Sequence, residues 1–102
     1  FTGLTPFQHN LKSAAEMLLG FRGPVLLAGD FNAWNLRRRR LLQSMAKSAG
    51  LSEVAFEPDD RTRWLGRPVD YLFVRGLKVL ASGVRITRGS DHNPLMARLE
   101  VF

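Results

Sequence analysis

Between residues 23 and 29 the chain reads Gly-Pro-Val-Leu-Leu-Ala-Gly, and the unbroken apolar run Val25-Leu26-Leu27-Ala28 constrains the fold more than any other stretch. A short apolar run bounded by glycines is the pattern of a strand buried on both faces, so it predicts a central strand. The residues before it read as a helix. Thr5 offers a capping oxygen, Pro6 needs no amide partner at a first helical position, and Gln8 completes a capping box. Phe7, Leu11, Ala14, Ala15, Leu18 and Leu19 then recur near the helical period, which predicts a helix over residues 6–19, stopped by Gly20.

Asn35 is suited to cap a second helix that turns Leu36, Leu41, Leu42, Met45, Ala46 and Ala49 inward and ends at Gly50. The arginines at 37–40 are expected mainly on its solvated side, because four consecutive residues go round a full turn and do not share one ligand. Later the character changes. Residues 69–74, 78–86 and 94–101 are rich in branched and apolar side chains, broken by Gly76, Ser82-Gly83 and Gly89-Ser90, and predict three strands. Leu95, Ala97, Leu99 and Val101 alternate with Met96, Arg98 and Glu100, as in a half-buried strand. Residues 51–66 give a weaker signal: a short strand at 54–56, then an Arg-rich loop.

A length of 102 residues sets a ceiling of one small domain. The start at Phe1 reads as a cut. No apolar run is long enough to cross a bilayer and no signal pattern is seen. The absence of Cys excludes disulfides and thiolate-bound zinc, so a metal would be held by oxygen or imidazole. A net charge of +6 favours anionic partners, although such charge also serves solubility alone.

Three segments place chemically capable groups at predicted strand ends. Gly29-Asp30-Phe31-Asn32 follows the apolar run, where ligands bind in open α/β sheets; an ordinary turn is the alternative. In Val69-Asp70-Tyr71-Leu72-Phe73-Val74 an acid interrupts a strand, where its charge needs a partner; an arginine such as Arg67 or Arg75 would suffice. Ser90-Asp91-His92-Asn93-Pro94-Leu95 sets an Asp-His pair just before the last strand. Such a His can act as general acid, phosphate donor or metal ligand.

Taken in order, PVLLAGDFNAW, VDYLFVRG and SDHNPL resemble the endonuclease/exonuclease/phosphatase superfamily, and look most like its bacterial members. The resemblance implies an α/β fold: half of a two-sheet, deoxyribonuclease-like sandwich, a mostly antiparallel sheet with helices on its outer face. It implies the carboxy-terminal half of that domain across residues 1–102, with the amino-terminal half absent. It also implies roles. Asp30 would orient and deprotonate the attacking water, and Asn32 would hydrogen-bond the scissile phosphate. Asp91 would hold Mg2+ or Mn2+, His92 would stabilise charge on a phosphate oxygen, and Asp70 would fix the tautomer of His92. Family members also carry an Asn, a Glu and another His in the preceding half. Glu16, Glu53, Glu57 and His9 do not stand in for them, and His9 is expected on the surface of the first helix.

Arg61, Arg63 and Arg67 are candidate contacts for an anionic substrate, with plain surface charge as the alternative. Trp34 and Trp64 are candidates to stack on a base or lipid headgroup, with packing walls as theirs. The implied function is metal-dependent phosphodiester hydrolysis with nucleic acid as leading substrate, weak or absent in this chain alone. A phosphomonoesterase, a phospholipid headgroup hydrolase or a silent nucleic-acid-binding piece are the alternatives. The face left by truncation is expected to be covered by self-association, most simply as a homodimer, or by the other half as a separate chain, and a cytoplasmic location is favoured.

Overall fold

A computed structural model describes residues 4–31, 33, 35–64 and 66–102, with the backbone alone at Leu4, Thr5 and Trp64. Helix α1 (Leu4–Leu19) leads to strand β1 (Val25–Asp30) and helix α2 (Leu36–Ser48). The strands β2 (Ser52–Glu53), β3 (Arg63–Trp64), β4 (Arg67–Pro68), β5 (Asp70–Arg75), β6 (Leu77–Val84) and β7 (Leu95–Val101) follow. The expected α/β class is what forms, with two helices and every strand pair antiparallel among the described residues. Asn35 caps α2 as expected: its backbone is extended and its Oδ1 accepts from Arg38 N at 2.8 Å. α1 is already under way at Leu4, so Thr5 lies inside the helix instead of capping it.

The main sheet has the order β1-β5-β2, which puts β5 in the middle. Its side chains alternate between two apolar layers. Tyr71 and Phe73 face the helices and pack in one cluster with Leu11, Leu42, Met45 and Ala46. Leu72 and Val74 face the other way, toward Val54, Phe56 and the inner residues of the β6–β7 hairpin, Leu77, Leu95, Ala97 and Leu99. The strand buried on both faces is therefore β5 and not β1. The run at 25–28 forms an edge strand among the described residues, with Leu26 54% exposed. Val25 and Leu27 reach the helix layer, while the hairpin covers β5 on the opposite face.

The hairpin forms a separate two-stranded sheet, so the chain supplies strands to both layers of part of a sandwich. This corrects the expectation of a single sheet with a bare inner face. Leu95, Ala97 and Leu99 are partly covered from within the chain, whereas Val101 is 63% exposed. One glycine makes the corner between the layers. Gly76, alone between β5 and β6, has a φ of 70°, and a Cβ there would lie 3.4 Å from the Cα of Pro24. Next to it, Arg75 ties both helix ends: Nη1 donates to Leu18 O at 3.0 Å and Ala49 O at 2.9 Å, and Nη2 to Phe21 O at 2.7 Å.

The arginines of α2 divide between solvent and interior. Arg37 and Arg40 are exposed, but Arg38 is buried with its guanidinium over the Phe7 ring at 4.7 Å. Arg39 reaches the Tyr71 hydroxyl and Glu53. Leu36, expected inward, is exposed in the first turn of α2.

Candidate active site

The β1–β5 ladder sets Asp30 directly opposite Asp70. One carboxylate ends β1 and the other begins β5, and like charges facing each other across a strand pair repel. His92, on the bend before β7, reaches between them. Its Nδ1 lies 2.6 Å from Asp70 Oδ2 and its Nε2 lies 3.9 Å from Asp30 Oδ2. The first contact is a short hydrogen bond and the second a charge contact. The Asp70 side chain is 13% exposed and that of His92 44%, so the pair has a covered anchor and an open tip.

Because Asp70 accepts at Nδ1, the ring presents Nε2 toward Asp30. The Asp70 hydrogen bond, then its charge, raise the His92 pKa above the ordinary 6.5; desolvation opposes this, and Asp30 and Asp91 add smaller upward pushes. An open cleft of about 420 Å³ is lined by Asp30, Asp70 and His92 together with Ala28, Gly29 and Leu95.

The bend carrying His92 is fastened by its neighbour. Asn93 N donates to Thr62 Oγ1 at 2.7 Å, Asn93 Nδ2 donates to Asp60 O at 2.8 Å, and Asn93 Oδ1 accepts from Thr87 N at 3.2 Å. Sequence reasoning singled out neither Asn93 nor Thr62. The available signal was an Asn directly before Pro94, a pairing that favours a turn held by side-chain hydrogen bonds.

Arg61 corrects an expectation. It does not face an anionic ligand: it is buried, with 5% of its side chain exposed. It donates from Nε and Nη2 to Asp59 at 2.8 and 2.7 Å, and from Nη1 to Glu53 at 3.3 Å and to Asp70 O at 3.2 Å. Its guanidinium also lies 5.1 Å from the Tyr71 ring centroid and 5.3 Å from that of Phe56. Burial works against its charge, but Asp59 and Glu53 outweigh that and raise its pKa further; the same Arg61 bond holds Asp59 below the ordinary carboxylate value. Burial likewise raises the Tyr71 pKa, against the influence of Arg39, and keeps the ring a phenol. A cation in such a network is internal structure.

The other candidates are scattered. Arg63 is more exposed and engages Asp59 and Gly66 O, while Arg67 is half-buried on β4. Asp91 is exposed on the bend and stands outside the donor cluster of Asp30, Asp70 and His92, whose ligand atoms lie within 4.8 Å of one another. His9 is exposed on α1, as expected. Asn32 and Trp34 lie outside the described residues, as does the Trp64 side chain.

Two carboxylates and an imidazole suit a divalent cation by donor type. Asp70 Oδ2, however, is engaged by His92 Nδ1, so the set fits a cation only partly and is short of carboxylates. Among the described residues no helix is long and apolar enough to cross a membrane.

The sequence profile of the Endonuclease/Exonuclease/phosphatase family matches residues 2–92, a span that takes in all three motifs up to His92. UPF0294 proteins of Yersinia pseudotuberculosis and Yersinia pestis are each 46% identical over 98 residues, covering 96% of this chain. One from Erwinia tasmaniensis is 41% identical over 99 residues, covering 97%. The chain spans 38% of the length of the Yersinia proteins and 37% of the Erwinia protein. No solved structure matches it.

Proposed function

This chain belongs to the endonuclease/exonuclease/phosphatase family, and from that premise we propose that it carries the Asp-His portion of a divalent-metal-dependent phosphodiester hydrolase acting on nucleic acid. The observation that supports this reading best is His92 held between two carboxylates at a cleft, 2.6 Å from Asp70 and 3.9 Å from Asp30. In the proposed step a water oxygen bonds to phosphorus as the opposite ester P–O bond breaks. Asp30 orients that water and takes its proton, and Asn32 hydrogen-bonds the phosphate beside it. His92, protonated and steadied by Asp70, donates from Nε2 to a non-bridging oxygen where negative charge builds.

By the family resemblance Asp91 would hold Mg2+ or Mn2+, together with ligands from outside this chain, since it stands apart from the Asp30, Asp70 and His92 cluster. A bound cation supplies charge neutralisation and a more acidic water. We place this chain in the carboxy-terminal half of its domain and assign the remaining ligands to the rest of the full-length protein. The net charge of +6 supports an anionic polymer as substrate. Arg63 and Arg67, on the β3–β4 hairpin, are the proposed contacts, and Arg61 is withdrawn from that role.

The test is hydrolysis of bis(p-nitrophenyl) phosphate and of DNA by the full-length protein with magnesium. Turnover is expected, with a loss of roughly a hundredfold or more in Asp30→Ala. Residues 1–102 alone should bind magnesium weakly and turn over far more slowly. No metal-dependent hydrolysis by the full-length protein, or turnover indifferent to Asp30, overturns the proposal.

A further inference from the structure

The three side chains of the site come from three separate segments, and each has a neighbour in one continuous path of hydrogen bonds. Phe31, next to Asp30, donates its N–H to Val69 O at 3.0 Å. Val69, next to Asp70, donates its N–H to Thr62 O at 3.2 Å. Thr62 Oγ1 accepts from the N–H of Asn93, next to His92, at 2.7 Å. The path Phe31–Val69–Thr62–Asn93 thus passes one residue from Asp30, Asp70 and His92 in turn.

The only side-chain atom joining consecutive members of this path is the Thr62 hydroxyl oxygen. Its neighbours reinforce the same two segments. Arg61 Nη1 holds the carbonyl of Asp70 itself at 3.2 Å, and Asp60 O accepts from Asn93 Nδ2 at 2.8 Å. Arg61 is in turn fixed by both oxygens of Asp59. Three consecutive residues therefore grip the strand end that carries Asp70 and the bend that carries His92.

From this arrangement we infer that the segment Asp60-Arg61-Thr62 is a positioning clamp for the site, with Thr62 as the residue that sets His92 against Asp70. It touches no reacting group. It acts through Val69 and Asn93, and a hydrogen bond of 2.6 Å between Asp70 and His92 tolerates little drift in either segment. The inference rests on the hydrolytic reading for its kinetic consequence and on geometry alone for its structural one.

The test uses the full-length protein with Thr62→Val, which keeps shape and removes the acceptor, and Thr62→Ser, which restores it. Hydrolysis of bis(p-nitrophenyl) phosphate and amide hydrogen exchange over residues 87–93 are both measured. Thr62→Val should lower kcat about tenfold or more with KM changed less than about twofold. Exchange over 87–93 should rise while the exchange of β5 stays as in the wild type. Thr62→Ser should restore both. Arg61→Lys is a second variant, expected to lower kcat in the same way. Unchanged kcat and exchange in Thr62→Val, or a Thr62→Ser variant as impaired as Thr62→Val, overturns the clamp. If the wild-type protein hydrolyses no ester, the hydrolytic reading falls by itself and the exchange measurement alone decides the clamp.

Discussion

A single proton on His92 decides what the pair with Asp70 presents to an anion. The fold raises the His92 pKa, chiefly through the Asp70 hydrogen bond, above the 6.5 of the free side chain. The protonated ring is thus favoured in the folded state, and the pair's stabilising contribution is complete below about pH 6.5. It disappears as pH rises through the higher folded value. Asp70→Asn should bring the His92 pKa back down toward 6.5, followed by the ring resonances in an NMR titration. An unchanged or higher value would show that Asp70 does not govern the ring. At this scale a carboxylate in a strand signals only that Asp70 needs a partner, for which Arg67 or Arg75 would suffice; that the partner is His92 follows from the family resemblance and not from the strand pattern. Arg61 and Arg38 were not readable: a charged residue in a polar stretch reads as surface, and only three-dimensional packing shows Asp59 beneath one and Phe7 beneath the other.

The elements divide in the same way. α1, α2 and β7 are legible because each repeats a period of 3.6 or 2 over enough residues to stand out, and β5 and β6 because they are apolar, branched runs bounded by glycines. The pairs β3 and β4 span two residues each, too few to carry a period, and so lay hidden in an Arg-rich loop. The apolar run of β1 predicts a strand but not its place in the sheet, since such a run does not say how many faces its neighbours will cover. Arg75 binds these elements together, holding Leu18, Phe21 and Ala49 carbonyls at the ends of both helices. Arg75→Met would leave those carbonyls without their charged donor. Urea unfolding should show a loss of about 2–3 kcal/mol, against about 0.5 kcal/mol or less for Arg63→Met on the exposed hairpin. Equal losses would mean that Arg75 is no more than a surface cation.

Over the whole molecule, surface is the informative quantity. The accessible area of 6863 Å² exceeds by about 1,000 Å² the roughly 5,800 Å² expected of a folded 11.5 kDa chain. One partner in a stable interface covers about 800 Å². Leu26, Met96, Val101 and Phe102 are among the exposed apolar side chains. Residues 1–102 alone are therefore expected to self-associate at tens of micromolar, most simply as a twofold dimer, in sedimentation equilibrium. A monomer that binds no apolar dye would count against association through these exposed side chains. The alternation along β5 reaches further. Tyr71 and Phe73 belong to one layer, Leu72 and Val74 to the other, and Asp70 opens the cleft. Inserting or deleting one residue between Asp70 and Tyr71 would either send both rings of β5 into the wrong layer or turn the carboxylate away from its histidine. Between Asp70 and Arg75 a gene for this fold can drift by substitution, but it has no freedom to change its reading length.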